Sequence, residues 1–179
     1  MRRLMLLRHA KTETDAPSGR DQDRRLDDRG HKDATEIGVW LGRHPPFPDF
    51  VQVSPAVRAK QTWELVQEAM KEHAPVPQVE FLPELYGADP AQMLQTIRTA
   101  SVTDPRHLMV VGHNPGMHEL ALALTDGGGD TAGRRALSDN LPTSGLAIFD
   151  FAISDWADVA FRRGRLALFV SPKLLRQAH

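Results

Sequence analysis

The chain has 179 residues, of which 41% are hydrophobic, so it can bury one substantial core and is predicted to form a single domain over residues 1–179. Lysine and arginine (22) nearly balance aspartate and glutamate (23), and the formal net charge of −1 provides no overall positive field for binding nucleic acid or an anionic membrane. Cysteine is absent, which excludes disulfides, thiolate metal sites and every mechanism that uses a cysteine nucleophile.

The N-terminal apolar run is too short to be the core of a signal peptide. Residues 4–7 (LMLL) are followed at once by Arg8 and His9, whereas a signal peptide needs about 7–15 apolar residues. No stretch approaches the roughly 18 apolar residues that cross a bilayer. These features favour a cytoplasmic protein.

Strands and helices are predicted to alternate along the first part of the chain. Residues 4–7 form a continuous apolar run, typical of a strand buried on both faces, and residues 33–43 carry apolar side chains at helical spacing. Residues 50–53 (FVQV) predict the next strand. The helix after it is expected to begin at Ser54 as N-cap, with Pro55 at the first helical position.

The same alternation continues in the middle of the chain. Residues 79–81 predict a weaker strand and residues 91–99 a modest helix. Residues 108–111 (LMVV) repeat the pattern of the first strand. Asn114 and Pro115 then have the order of a cap residue and a first helical proline, so another helix is expected to begin there.

The last part of the chain completes the predicted sheet. Glycines 127–129 indicate a flexible loop, and the apolar segments 146–151 and 166–170 indicate a β-hairpin at one edge. Alternating strands and helices favour an α/β fold: a three-layer α/β/α sandwich with a mostly parallel sheet and an antiparallel edge hairpin. In such sheets the ligand binds beyond the carboxyl ends of the strands.

Basic side chains follow several of these strands. Arg8 and His9 come directly after the first strand, Arg58 lies about one helical turn beyond the second, and His113 follows the strand at 108–111. Helix N-termini near two of these positions would also attract an anion. Forked arginine donors and histidine are suited to the oxygens of a phosphoryl group, so the sequence predicts a phosphate site.

His9 is the best candidate for a nucleophile, because the chain has no cysteine and no aspartate directly after a predicted strand. To attack phosphorus it must be neutral, with one ring nitrogen free and the other donating its proton, for which a backbone carbonyl is the expected acceptor. The flanking arginines help, since nearby positive charge disfavours the protonated ring.

Four segments give the sequence its resemblance to a known family: LRHAK at 7–11, SPAVRAKQT at 54–62, LPEL at 82–85 and VGHNP at 111–115. In order and spacing they resemble the motifs of the histidine phosphatase superfamily, the phosphoglycerate mutase-like group, and within it the short SixA-like phosphohistidine phosphatases. Ala10 stands where the wider superfamily often has glycine, and many SixA-like members have alanine at this position too. The resemblance implies the phosphoglycerate mutase-like fold.

The resemblance also implies roles for individual residues. His9 would carry the phosphate transiently, and Glu84 would donate a proton to the leaving group, so that the implied catalytic residues are His9, Glu84 and His113. The implied phosphate-binding residues are Arg8, Arg58, His113 and Asn114. No metal and no other cofactor is implied, and the histidine spacing agrees: His113 and His118 are five apart and would not share a helix face.

Chain length bears on the substrate. Only 22 residues separate Glu84 from His107, which leaves room for one helix and its loops rather than for an insertion that covers the site. An open pocket favours a phosphorylated protein, and phosphohistidine in particular. Two alternatives stay open: a phosphatase for small phosphomonoesters, and a non-catalytic phosphate-binding module. The charged segment 21–29 is interpreted as a solvated loop from which an arginine could line the mouth of the pocket.

Overall fold

The computed structural model describes residues 1–178, in which there are seven strands and six α-helices. The strands are β1 (Arg2–Arg8), β2 (Phe50–Val53), β3 (Gln78–Phe81), β4 (His107–Gly112), β5 (Thr125–Gly129), β6 (Leu146–Phe151) and β7 (Gly164–Val170). The helices are α1 (Asp28–Gly42), α2 (Val57–Met70), α3 (Pro90–Arg98), α4 (Gly116–Leu124), α5 (Thr131–Asp139) and α6 (Pro172–Gln177). Within this range no helix combines the length and hydrophobicity that crossing a membrane requires.

All seven strands form one mixed sheet in the order β3-β2-β4-β1-β6-β7-β5. Neighbours among β3, β2, β4 and β1 are parallel, whereas β6 runs antiparallel to both β1 and β7. The predicted α/β class with a mostly parallel sheet is therefore confirmed. The β6–β7 hairpin forms as predicted, but β5 pairs outside it and is the actual edge strand.

The sheet is covered by helices on both faces. Leu4 and Leu6 of β1 belong to a cluster with residues of α3, α4 and α5, while Met5 and Leu7 belong to a second cluster with residues of α1 and α2. Because side chains alternate along a strand, these two clusters lie on opposite faces. Burial on both sides explains why β1 is a continuous apolar run.

Helix α1 begins five residues earlier than its apolar spacing predicts. Its N-cap is Asp27, whose side chain accepts a hydrogen bond of 2.7 Å from the Gly30 amide, and its first turn is polar. Gly30 also lets this turn approach the loop after β1, because a Cβ there would lie 2.0 Å from the Lys11 carbonyl oxygen. The start of α1 is thereby packed against the chain just beyond His9.

The predicted starts of the helices after β2 and β4 need correction. Helix α2 begins at Val57 with Ala56 as N-cap, so Ser54 is not the cap and Pro55 is not the first helical residue. The next helix begins at Gly116, with Pro115 at the N-cap position. Asn114 precedes it, although its Oδ1 still accepts a hydrogen bond of 3.1 Å from the amide of the third helical residue. The strand-to-helix turns are longer than predicted and leave side chains free for other contacts.

The prediction of a flexible loop at glycines 127–129 is wrong. These residues belong to β5, which pairs with β7 through Thr125 opposite Gly164 and Gly129 opposite Leu166. A Cβ on Gly129, which has φ of +92°, would lie 2.1 Å from the Leu166 carbonyl oxygen. Glycine is therefore needed here for close approach of two backbones, and helix α5 follows directly, which the sequence did not indicate.

Candidate active site

The parallel register of β1, β4 and β2 brings the residues after these strands to one edge of the sheet. Arg8 pairs with Gly112, and the His9 amide donates to the Gly112 carbonyl at 3.1 Å. The Ser54 amide likewise donates to the Val111 carbonyl at 3.0 Å. The consequence is that the rings of His9 and His113 lie side by side, with centroids 5.2 Å apart.

His9 is held as a neutral imidazole with one nitrogen unoccupied. Its side chain is buried, and its Nδ1 lies 2.7 Å from the Ala10 carbonyl oxygen. A carbonyl only accepts, so Nδ1 carries the proton and Nε2 has a free lone pair. Burial lowers the pKa of His9 to about 3, and the positive charges of Arg58 and Arg8 act in the same direction, against the hydrogen bond to Ala10.

The loop that carries His9 is fastened to helix α2. The Ala10 amide donates to Thr62 Oγ1 at 2.9 Å, and the Thr62 hydroxyl donates to the Arg58 carbonyl at 2.7 Å. Ala10 and Thr62 are both fully buried. The position of the His9 ring relative to the first turns of α2 is therefore fixed by a short chain of buried hydrogen bonds.

His113 is oriented by Ser54, a residue that the sequence analysis assigned to a helix cap. His113 Nε2 lies 2.6 Å from Ser54 Oγ, which also accepts a hydrogen bond of 3.3 Å from the Ala56 amide. When the serine hydroxyl donates to Nε2, the ring proton of neutral His113 is on Nδ1, a buried atom with no partner among residues 1–178. Burial and the Arg58 charge lower the pKa of His113 to about 4.

Arg58 is held by the carboxylate and backbone of Asp21. Its Nη2 donates to Asp21 Oδ2 at 2.9 Å and its Nη1 to the Asp21 carbonyl at 2.8 Å. The Tyr86 hydroxyl donates to the same Oδ2 at 2.6 Å, and Arg24 Nε donates to Oδ1 at 2.9 Å. The Tyr86 hydrogen bond and the two arginines keep the pKa of Asp21 far below its usual range, so it is a carboxylate. The Tyr86 ring meets the His113 ring edge-on, 5.6 Å away.

Asp21 and Tyr86 are the main residues that the sequence analysis missed. Asp21 lies in the segment interpreted as a solvated loop, where an arginine was expected to approach the pocket. The structure places Asp21 there, in a 3₁₀ turn at Asp21–Asp23, with Arg24 bound to it. Tyr86 comes two residues after Glu84, at the end of a second 3₁₀ turn. Neither turn has a periodic pattern from which the contact could be inferred.

Arg8 and Asn114 share one acceptor. Arg8 Nη1 donates to the Leu141 carbonyl at 3.2 Å, and Asn114 Nδ2 donates to the same oxygen at 2.8 Å. Burial lowers the pKa of Arg8. Both polar groups of the Asn114 side chain are engaged with backbone, so it braces the turn after β4, and its direct contact with phosphate stays a prediction.

Three buried nitrogen atoms of this cluster have no hydrogen-bond partner within residues 1–178: Arg8 Nε, Arg58 Nε and His113 Nδ1. A buried N–H without an acceptor costs about 1–3 kcal/mol, more when the group is charged. Arg8 Nε and Arg58 Nε are N–H donors, and His113 Nδ1 is a donor when the ring proton is on that atom. Each terminal nitrogen of Arg58 donates one of its two N–H groups to Asp21, and Nε has no partner among the described residues.

The structure does not bring Glu84 into this hydrogen-bond network. Glu84 is exposed in the turn Pro83–Leu85, and it makes no hydrogen bond with the cluster among the described residues. Its role as a proton donor stays a prediction. The remaining histidines at 31, 44 and 73 are exposed and His107 is half-buried, whereas His179 lies outside the described residues.

The buried histidines make stability depend on pH. An unfolded histidine titrates near pH 6.5, whereas His9 and His113 stay neutral down to about 3 and about 4, so the unfolded chain binds more protons between these values. The free energy of unfolding should therefore fall as pH is lowered from about 6 to about 4.5, by up to about 1.4 kcal/mol per pH unit for each histidine. Urea denaturation of the native chain and of the His9→Asn/His113→Asn double variant checks this. An equal slope in both proteins would contradict it.

Known proteins resemble this chain in sequence and fold. The profile of the histidine phosphatase superfamily (branch 1) matches residues 4–108. An uncharacterised protein of Mycobacterium leprae is 33% identical over 172 residues, which is 93% of this chain and 100% of that protein. The crystal structure of a proposed phosphohistidine phosphatase SixA from Agrobacterium tumefaciens matches with a TM-score of 0.75 at 30% identity, over 96% of this chain and 98% of that one. A proposed SixA phosphohistidine phosphatase from Nakamurella multipartitia gives a TM-score of 0.79 at 29% identity, over 96% of both chains.

These matches confirm the family resemblance that the four sequence motifs indicated. The profile covers the motifs around His9, Arg58 and Glu84, and the structural matches extend over the strand and turn that carry His113. The family and its structural neighbours support a phosphatase. The chain belongs to the histidine phosphatase superfamily, branch 1.

Proposed function

We propose that this protein is a metal-independent phosphatase that forms a phosphohistidine intermediate on His9 and acts on phosphohistidine or other phosphorylated residues of proteins. The observation that carries the proposal is the state of His9. Its ring is neutral, and its Nδ1–H donates a hydrogen bond to the Ala10 carbonyl. Its Nε2 lone pair is free and lies near the positive charges of Arg8 and Arg58. This is the condition in which an imidazole attacks phosphorus.

The reaction has two displacement steps. In the first, the Nε2 lone pair attacks phosphorus, the N–P bond forms, and the bond to the leaving atom breaks with its electron pair remaining on that atom. Glu84 is the proposed source of the proton that the leaving group takes. In the second step water attacks phosphorus and gives a proton to the Glu84 carboxylate, the N–P bond breaks with its electron pair returning to Nε2, and neutral His9 is restored with inorganic phosphate. Both steps need charge stabilisation on the three equatorial oxygens.

Arg8, Arg58 and His113 are the proposed source of that stabilisation. Arg8 Nε, Arg58 Nε and His113 Nδ1 have no acceptor among the described residues, and because they are buried, the side chains around them must move for a phosphoryl oxygen to reach them. A bound phosphoryl group also brings negative charge next to His113. That charge favours the protonated ring, and His113 would then bind the phosphate as a charged donor.

Two observations support a protein substrate. Between Glu84 and His107 the chain forms only helix α3 and a 3₁₀ turn at Thr99–Val102, with no long insertion that would cover the site. The proteins from Agrobacterium and Nakamurella described above are proposed phosphohistidine phosphatases and are similar over nearly their whole length. A phosphorylated side chain presented on a protein surface suits such a site better than a metabolite that must be enclosed.

Asp21 is proposed to act as a positioning residue for Arg58. The Asp21→Asn substitution keeps the shape of the side chain but removes the charge that holds Arg58, Arg24 and Tyr86 together. We expect kcat/KM for an aryl phosphate to fall about tenfold, because a charge-assisted hydrogen bond is replaced by a weaker one and Arg58 is held less firmly. Steady-state kinetics measures this.

The matched control is Asp23→Asn in the same turn. Asp23 accepts a hydrogen bond from Ser18 at 2.6 Å and does not contact Arg58, so its substitution should change kcat/KM by less than twofold. Equal losses in the two variants would mean that the turn as a whole matters, and the specific role of Asp21 would be rejected.

Comparison of substrates tests the proposed function directly. Values of kcat/KM are measured at about pH 8, with a chelator present, for a phosphohistidine peptide and for a panel of small phosphomonoesters. We expect the phosphohistidine peptide to be the better substrate. A strong preference for one small phosphomonoester would overturn the proposed substrate class, and inhibition by the chelator would overturn metal independence.

A further inference from the structure

A basic cavity of about 370 Å³ adjoins the candidate active site on the side of helix α6. Its positive residues come from three separate parts of the chain: Lys11 from the loop after β1, Arg29 from α1, and Lys173 and Arg176 from α6. The chain as a whole has a formal net charge of −1, so this concentration of positive charge is local.

Two backbone connections join the lining of the cavity to the segment that carries Arg8 and His9. Lys11 is two residues beyond His9, which places their Cα atoms no more than about 7.6 Å apart. Thr143, which also lines the cavity, precedes Ser144, and the Ser144 amide lies 3.1 Å from the carbonyl oxygens of both Arg8 and His9. Residues that line the cavity are therefore joined directly to the backbone around His9.

The two arginines of the cavity are held in place by a buried carboxylate. Asp33, which is only 6% exposed, accepts hydrogen bonds from Arg29 at 3.3 Å and from Arg176. Arg176 also lies 3.4 Å from a Glu36 oxygen. The positive charges of the two arginines are thus largely balanced by the carboxylates of Asp33 and Glu36. The arginines are therefore not the main groups that would attract an anion to the cavity.

The two lysines are not compensated. Lys11 and Lys173 are exposed, and neither has a carboxylate partner within residues 1–178. They line the same cavity from different elements of the fold, so a ligand in the cavity would meet both charges. A ligand with carboxylates would gain from both.

We propose that this cavity binds acidic side chains of the phosphoprotein substrate, so that the enzyme prefers phosphorylated residues that have aspartate or glutamate nearby. The inference rests on the proposed function and adds to it a sequence preference. An extended peptide advances about 3.3 Å per residue, so carboxylates two to four residues from the phosphorylated position are the ones that reach Lys11 and Lys173.

Three peptides test the inference. Each contains one phosphohistidine, with glutamate, glutamine or lysine at the positions two to four residues away on both sides. At low ionic strength we expect kcat/KM for the glutamate peptide to exceed that for the glutamine peptide about five- to tenfold, with the lysine peptide lowest. The preference should shrink to about twofold at 0.5 M salt, because exposed charges are screened.

Two variants test whether the preference for the glutamate peptide depends on the lysines of the cavity. The double substitution Lys11→Gln/Lys173→Gln should reduce the ratio of the glutamate to the glutamine peptide to less than about twofold. Lys32→Gln, which removes an exposed lysine of α1 that does not line the cavity, should keep the native ratio. The inference is overturned if the glutamate-to-glutamine ratio of kcat/KM is unchanged in the double variant, or if it is near one in the native protein. In either case, turnover of the phosphohistidine peptides would still support the proposed function. Hydrolysis of an aryl phosphate without turnover of any peptide overturns both.

Discussion

Replacement of His9 by alanine should lower kcat for an aryl phosphate by at least about 10⁴-fold, because the covalent route is lost when its nucleophile is removed. Brief exposure of the native protein to a labelled phosphodonor, followed by peptide mapping, should place an acid-labile, base-stable phosphate on His9. The variant should carry no label. The two measurements are kcat, determined with stopped assays, and the position of the label, determined by peptide mapping.

The control for this prediction is His118→Ala. His118 is half-buried on α4 and its Nε2 lies 2.6 Å from the Leu137 carbonyl, so the variant loses an imidazole and a hydrogen bond of similar kind outside the cluster. It should keep activity within about threefold and accept the label. Because alanine leaves a cavity at His9, the His9→Asn variant and circular dichroism establish that the protein is folded. Labelling on any other residue, or activity within tenfold of native in both His9 variants, would contradict the mechanism.

Arg58→Lys should lower kcat/KM by about 10²–10³-fold although it keeps the positive charge. Arg58 donates one N–H from each terminal nitrogen to Asp21 and keeps further N–H groups for the proposed phosphate contact, an arrangement that needs a planar fork with several donors. A lysine ammonium at this position would approach Asp21 or the phosphoryl oxygens, but it could not reproduce both contacts at the same angles. Steady-state kinetics with an aryl phosphate measures the loss.

Arg25→Lys is the matched control for the guanidinium. Arg25 is exposed and makes a surface contact of 3.3 Å with Glu13, and such ion pairs contribute about 0–1 kcal/mol. Its substitution should leave kcat/KM within about twofold. An Arg58→Lys variant that keeps more than a third of native kcat/KM would show that charge alone suffices at this position.

The sequence could predict the part of the site that depends on strand order. Arg8, His9 and His113 follow apolar runs long enough to be recognised as buried strands, and parallel strands bring their carboxyl ends to one edge. That these three residues lie close together could therefore be predicted without knowing the conformation of any loop. The free Nε2 of His9 was also foreseeable, since a histidine next to a strand end has backbone carbonyls within reach.

The contacts made by irregular segments could not be predicted. Asp21 and Tyr86 are 65 positions apart, and each lies in a 3₁₀ turn with no hydrophobic period. Ser54 was assigned to a cap because serine before proline commonly starts a helix, and its contact with His113 depends on a turn two residues longer. In both cases the local sequence allows several hydrogen-bond partners for a polar side chain, and tertiary contacts determine which partner it has.

Strand β5 was missed for a different reason. Strand prediction relies on side chains that pack against a sheet, and the segment TDGGG offers almost none. Its pairing with β7 is made by the backbone, and the absence of side chains at Gly129 is what allows the approach. A pattern based on hydrophobicity has nothing to detect in such a strand.

The composition of β5 also affects how the protein behaves in a crowded solution. An edge strand presents unpaired amide and carbonyl groups to which a strand of another molecule can add, and apolar side chains make such addition persistent. Beyond Thr125, β5 has one aspartate and three glycines, so an incoming strand would find hydrogen bonds but no apolar surface to bury. At the opposite edge, β3 is short, with the exposed Glu80 in its middle and Lys60 over the ring of Phe81. Neither margin of the sheet thus combines a long strand with a continuous apolar surface, although the Phe81 side chain of β3 is 48% exposed.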